Sequence, residues 1–239
     1  MYEIKIIAFG DIHGCYQAAE AAVLLAKKEK ATSIFLGDYV DRGPNSIKTL
    51  EILIKAMKDN PDWIFLRGNH DQMLLDLIFG KQIPNKEFDV YSGRTSNEET
   101  SKVFQKWSDL SEIRKEEITK FLESTVFFHE INEWIFVHSP LKNSAVKIND
   151  KLKDELIWNY DLNPTWNGKQ FMHGHKVVDK PINTNQGYNI NTGCGFGGYL
   201  TGTLIKLLFP DPINRPTLIR QTLINFFISE TGEKLDNTP

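Results

Sequence analysis

Carboxylates, imidazoles and one amide recur in short glycine-flanked runs of this 239-residue chain. The first run, Gly10-Asp11-Ile12-His13-Gly14, holds an aspartate and a histidine two positions apart. On an extended segment such residues face the same side, so a hard oxygen and an imidazole nitrogen can converge on one cation. Asp38, in "GDYVDRGPN", can reach the same place, and Asn69 and His70, in "RGNHDQ", follow. Being adjacent, Asn69 and His70 diverge, one toward metals and the other toward a substrate. His138 closes the apolar run "WIFV", and His175 follows a glycine in "FMHGH". Together these residues supply about the ligands two cations need, with Asp38 as a natural bridge. Carboxylate, amide and imidazole without thiolate suit manganese, iron or zinc better than a structural zinc site.

Two cations ~3.5–4 Å apart suit phosphoester hydrolysis: they lower the pKa of a shared water and neutralise charge building on phosphoryl oxygens. A two-metal-activated hydroxide then makes a protein nucleophile unnecessary. Arg42 directly precedes "GPN" and a helix start, where a guanidinium and helix-end amides can hold phosphate together. His70 can protonate the leaving alkoxide, and Asp41 can orient that imidazole. His129 is assigned nothing, and His173 is read as structural or as support behind the ligands.

The elements that must position these groups are legible in the first third of the chain. Ile4 to Phe9, Thr32 to Leu36 and Trp63 to Leu66 are apolar strands, each ending in one of the polar motifs. Helical stripes follow each: Tyr16, Ala19, Val23 and Ala26; Ile47, Leu50, Ile54 and Met57; Met73, Leu74, Leu77 and Ile78. This alternation predicts βαβ units and a parallel sheet, whose ligands bind at the carboxyl ends of the strands. Residues 94–125 read as a helical insertion with Ile113, Ile118, Phe121 and Leu122 buried. From Val126 the texture turns to strands, with a hairpin turn at Asn132 and Glu133. Further strands are expected at Gln170 to Met172, Tyr188 to Asn191, Leu200 to Phe209 and Thr217 to Phe227. They imply a second, mixed or antiparallel sheet packed on the first. One domain over residues 1–229 and a polar, frayed tail over 230–239 complete this α/β organisation.

Hydrophobic residues at 41% and charged residues at 25% are ordinary for a globular protein, and the net charge of −3 argues against nucleic-acid binding. No apolar run approaches the ~20 residues of a membrane span, and the N-terminus enters a strand without a signal peptide. The two cysteines, Cys15 and Cys194, read as free thiols, and a cytoplasmic protein is expected.

"GDIHG", "GDYVDRG" and "GNHD", followed by "VHS" and "HGH", resemble the calcineurin-like metallophosphoesterases, specifically the phosphoprotein phosphatase branch. "GDIHGCY", "GNHDQM", "LIWN" and "NTGCGFGG" look closest to bacterial and bacteriophage protein phosphatases such as that of phage lambda. The similarity runs from about Ile4 to Leu207. It implies two mixed β-sheets packed as a sandwich and flanked by helices, around a two-metal centre that commonly holds manganese. By position, Asp11, His13 and Asp38 would hold one metal, and Asp38, Asn69, His138 and His175 the second. His70 with Asp41 would form the acid pair, and Arg42 would bind phosphate.

The chain departs from that pattern at three places. Asp71 stands where the family often has glutamate, and diadenosine tetraphosphate hydrolases often have the aspartate. "VHSP" replaces "VHAG", so Pro140 would reshape the loop beside His138. Tyr160 stands where many relatives carry a phosphate-binding arginine; either its hydroxyl or another arginine, such as Arg94, would serve. The expected activity is a serine/threonine protein phosphatase, with a dinucleoside polyphosphate hydrolase as the alternative and an inactive scaffold as a third reading. A phosphorylated protein, peptide or nucleotide would be the partner. The sequence leaves the oligomeric state open.

Overall fold

The computed structural model describes residues 2–83, 88–89, 94–142, 149, 152–160, 166, 168–184, 187–209 and 220–235. Three strand–helix units open the chain: β1 (Tyr2–Phe9) and α1 (Tyr16–Glu29), β2 (Thr32–Phe35) and α2 (Ser46–Asp59), β3 (Ile64–Phe65) and α3 (Asn69–Ile78). The strands run parallel, Ile6 beside Thr32 and Ile34 beside Ile64. Ile6 to Phe9 are all buried because both faces of β1 are covered. Ile7 and Phe9 pack toward the helices, while Ile6 and Ala8 pack toward a second sheet.

Each helix buries one stripe, with local differences from the sequence reading. In α1 the buried face is Ala18, Ala19, Ala22, Leu25 and Ala26, with Tyr16 and Val23 at its half-buried margin. The alanines let this helix lie close to the sheet. Helix α2 buries Ile47, Leu50, Leu53 and Ile54, and the Asn45 side chain caps it by accepting the Lys48 N–H at 3.0 Å. Helix α3 buries Met73, Leu74 and Leu75, leaving Leu77 and Ile78 half-buried.

The insertion begins with a short pair, β4 (Phe88–Asp89) and β5 (Arg94–Thr95), followed by α4 (Ser96–Ser108) and α5 (Glu112–Ser124). Helix α4 packs on α2 and α3, and α5 inserts Ile118, Phe121 and Leu122 into the main core. Ile113, expected in that stripe, is 73% exposed. Five residues before Ile118, it is rotated off the face that three- and four-residue spacings share. Arg67, buried after β3, ties the end of the insertion down by donating through Nε to Thr125 Oγ1 at 2.7 Å.

The remaining elements are β6 (Phe128–Ile131), β7 (Trp134–Val137), α6 (Lys153–Trp158), β8 (Gln170–His173), β9 (Ile182–Thr184), β10 (Gly187–Asn189), β11 (Asn191–Thr192), β12 (Tyr199–Phe209), β13 (Arg220–Ser229) and β14 (Lys234–Leu235). One mixed sheet has the order β14-β13-β12-β1-β2-β3, with β11 on β12, and the other has the order β6-β7-β8-β10-β9. Between them Ile6, Ala8, Ile34 and Leu36 meet Trp134, Phe136 and Met172, which is the core of a sandwich. The long strands β12 and β13 were expected in the second sheet; instead β12 lies antiparallel to β1 and extends the first. It sends Leu200 and Leu204 toward the helices and Ile205 and Leu207 between the sheets, so it needs cover on both faces. Residues 217–219, at the start of the expected last strand, lie outside the described residues. The expected frayed tail is paired as far as Leu235, where β14 joins β13. Residues 236–239 are not described.

Candidate active site

The three polar motifs lie together beyond the carboxyl ends of β1, β2 and β3, where parallel strands leave a crevice. His138 follows β7 and His175 follows β8, so the second sheet delivers its histidines to the same place. His13 Nε2 lies 3.9 Å from Asp11 Oδ2 and 3.6 Å from Asp38 Oδ2. On the other side of Asp38, His138 Nε2 is 3.5 Å from the same Oδ2. Asn69 Oδ1 is 3.0 Å from both His138 Nε2 and His175 Nδ1. The six residues expected to hold cations thus form two adjoining groups sharing Asp38.

Hydrogen bonds behind the site prepare these donors. His13 Nδ1 is 2.9 Å from the Val40 carbonyl, and His138 Nδ1 is 2.8 Å from the Leu36 carbonyl. A carbonyl only accepts, so each Nδ1 carries a proton and Nε2 is the nitrogen left to face a cation, once any proton it holds is displaced. Asp11 accepts the His175 N–H and the Asn191 side-chain N–H, the latter at 2.6 Å. This set of oxygens and lone-pair nitrogens, nearly all buried, fits hard or borderline divalent cations.

The backbone is forced into place to do this. His13, Asp38, Asp41, Arg42 and His175 all have positive φ, between 46° and 72°. Such left-handed conformations cost non-glycine residues energy and concentrate at functional sites. Gly68 and Gly174 are required for a different reason: a Cβ at Gly68 would overlap Asp38 Oδ1, and one at Gly174 would overlap Asp11 Oδ1.

Beside the cation groups stands a buried pair, with His70 Nδ1 2.5 Å from Asp41 Oδ2. His70 Nε2 is 3.1 Å from Arg42 Nη2, and the Arg42 guanidinium lies over the Phe196 ring at 4.3 Å. A group of His13, Asp38 and His70 donor atoms is also close enough to surround an ion, so proximity alone does not divide ligand from acid. The partners of His70 do so better: its nitrogens face Asp41 and Arg42.

A family model for calcineurin-like phosphoesterases matches residues 4–192. The chain belongs to that family. A bis(5'-nucleosyl)-tetraphosphatase PrpE of Geobacillus sp. (strain WCH70) is 27% identical over 229 residues, covering 83% of this chain and 89% of the relative. The Bacillus subtilis (strain 168) protein of the same name is 25% identical over 220 residues, covering 80% and 87%. Among solved structures, a candidate diadenosine tetraphosphatase superposes with a TM-score of 0.59 at 18% identity, covering 92% of this chain and 93% of that one. A Saccharomyces cerevisiae protein serine/threonine phosphatase superposes at 0.55 with 16% identity, covering 99% and 81%. These superpositions establish the sandwich fold of the metallophosphoesterases.

The buried titratable groups of the phosphoesterase centre shift one another's protonation. Burial lifts the Asp11 carboxyl to about 7, against the pull of His138. For His138, burial works downward, but the charge of Asp38 overrides it and raises the imidazole to about 9. Burial also opposes ionisation of Asp38, yet His138 and His70 hold its carboxyl well below the usual range. His13 and His175 are pushed well below the ordinary histidine value, His13 by burial and Arg42, His175 by burial and His138. Cations held by Asp11 and His138 would displace protons from both. Their binding should release protons, with apparent affinity rising as pH passes about 7 and on toward about 9. Calorimetric titration with Mn2+ in two buffers of different ionisation enthalpy measures this release, and an affinity flat across that range would contradict it.

Two expected substrate groups fall out differently. The Tyr160 ring packs 4.2 Å from the His175 ring and is 40% exposed, which places it against a proposed ligand at the rim of the centre. Arg94 lies in β5, and its side chain lies outside the described part of the structure. Asp71 acts structurally, because its carboxylate accepts the N–H groups of Asp38, Tyr39 and Gly68 at 2.7, 2.9 and 2.9 Å and so joins two motif loops. Pro140 is buried, and its carbonyl accepts from Asn159 Nδ2 at 2.6 Å. His173 is buried, and burial lowers it to about 4, so it stays neutral behind the ligands.

Sequence reasoning missed the supporting residues. Asn191 fixes Asp11, while Glu230 Oε1 accepts the N–H groups of Gly195 and Gly197 at 2.9 and 2.7 Å. Glu230 thereby holds the loop that carries Phe196 against Arg42. "NTGCGFGG" was the only signal of this loop, and nothing in the tail marked Glu230. The cysteines, distant in the chain, are both buried free thiols; a hydrogen bond with Cys15, then burial, pushes the Cys194 thiol well above its ordinary value.

Proposed function

We propose that this phosphoesterase cleaves the phosphoanhydride chain of dinucleoside polyphosphates. The observation that carries the reading is the similarity to bis(5'-nucleosyl)-tetraphosphatases, which extends over 83% of this chain and 89% of the relative. Asp71, the residue such hydrolases often carry at this position, supports it. Hydrolysis of phosphoserine or phosphothreonine in proteins, the first choice on sequence motifs, becomes the second reading. It keeps the support of the segments "GDIHGCY" and "NTGCGFGG".

In this proposal Asp11, His13 and Asp38 hold one divalent cation and Asp38, Asn69, His138 and His175 the other, manganese first, with iron or zinc as substitutes. Bound there, the pair would supply Lewis-acid charge at phosphorus and lower the pKa of water. Arg42, pinned by Phe196, binds the phosphate. His70 Nε2, which accepts from Arg42 Nη2 in this structure, takes up a proton once Arg42 turns to the phosphate and gives it to the departing oxygen, while Asp41 orients the ring through Nδ1. No described helix is long and apolar enough to cross a membrane.

Turnover of diadenosine tetraphosphate against a phosphoserine peptide, with Mn2+ present, tests the choice. We expect kcat/KM to favour the dinucleotide by at least about 10²-fold, roughly 2.7 kcal/mol of transition-state discrimination. A preference for the peptide would restore the protein phosphatase reading.

A further inference from the structure

The acid pair has a third member that comes from the insertion. Thr100, fully buried on α4, donates its hydroxyl to Asp41 Oδ2 at 2.5 Å. That oxygen is the one facing His70 Nδ1, also at 2.5 Å. Asp41 is itself 1% exposed, and its backbone N–H donates to Ser46 Oγ at 2.9 Å. Asp41 is thus held by Ser46 of α2 at its main chain and by Thr100 of α4 at one carboxylate oxygen, Oδ2.

We propose that Thr100 is a positioning residue for phosphoester hydrolysis, fixing the plane of the Asp41 carboxylate so that the His70 ring faces the leaving group. A carboxylate contacted only by an imidazole can turn about its terminal torsion, which is broad and roughly two-fold. A second donor on the same oxygen removes that freedom. Threonine suits this position because its branched Cβ restricts χ1 within a helix, leaving few orientations for the hydroxyl. Since α4 packs on α2 and α3, the insertion supplies a working contact to the centre in addition to covering the core. The proposal rests on the reading of His70 as proton donor.

The test compares Thr100→Val, which keeps shape and removes the hydroxyl, with Thr100→Ser, which keeps the hydroxyl. Both are assayed in the Mn2+-loaded enzyme with phenyl phosphate, a poor leaving group, and p-nitrophenyl phosphate, a good one. We expect Thr100→Val to lower kcat for phenyl phosphate about 10- to 100-fold, the usual range for residues supporting a functional group from behind. The p-nitrophenyl ester should suffer much less, KM should stay within about two-fold, and Thr100→Ser should recover most of the rate. In a His70→Asn background, Thr100→Val should cost nothing more, because the group it positions is gone. Equal losses on both esters, a serine variant as poor as valine, or an undiminished cost in the His70→Asn background would overturn the proposal. Should the valine variant fail to fold, the serine variant and Thr100→Ala carry the same comparison. His70→Asn alone, assayed on the same two esters, reads the underlying role of His70 separately.

Discussion

Asp38→Asn should leave the protein folded but unable to hold two cations, with activity lower by at least about 10³-fold. Asparagine tolerates the left-handed backbone that Asp38 adopts, φ 53°, and its side-chain oxygen can still accept the His70 N–H, now at 3.0 Å to Oδ1. What it cannot supply is a negative charge shared between His13 and His138, which approach Asp38 Oδ2 at 3.6 and 3.5 Å. Residues that merely support metal ligands cost roughly 10- to 100-fold in affinity or activity when changed. A bridging carboxylate acts at two positions, so the loss should be compounded. Metal analysis of the purified variant should find clearly fewer than two ions per chain, and full stoichiometry would remove Asp38 from the bridge.

His70→Asn should do the opposite, keeping the metal content while lowering kcat by about 10²–10⁴-fold on esters with poor leaving groups. The imidazole spans Asp41 at 2.5 Å and Arg42 at 3.1 Å, and asparagine can neither bridge them nor yield a proton. On a phosphoanhydride the leaving oxygen needs less help, so the same substitution should cost less with diadenosine tetraphosphate. The comparison also decides between the two arrangements the distances allow, because His70 lies within ligand reach of the same ion as His13 and Asp38. Loss of a metal from His70→Asn would make it a ligand, whereas an unchanged rate would leave it with no part in the chemistry.

The parts of this centre that were legible in the sequence are those where chemistry is concentrated in rare local patterns. Asp11, His13, Asp38, Asn69 and His70 stand at the ends of three apolar runs separated by helical stripes, and parallel-sheet geometry brings such ends together. His138 and His175 were found because each also follows an apolar run. The assignment of β12 and β13 to the wrong sheet has a plain cause: a strand buried on both faces shows which residues want cover but not which neighbour provides it. Ile113 is an apolar residue on a helix whose buried face lies elsewhere. Thr100, Asn191 and Glu230 were invisible because threonine, asparagine and glutamate are common on any surface. Their roles come from long-range contacts, 59 residues apart for Thr100 and Asp41 and 180 for Asn191 and Asp11.

The most direct measurement is anomalous scattering from crystals of the Mn2+-loaded protein. Two peaks about 3.5–4 Å apart are expected, one against Asp11 and His13, the other against Asn69, His138 and His175, with Asp38 between them. A single peak, or two peaks of which neither touches Asp38, would contradict the account.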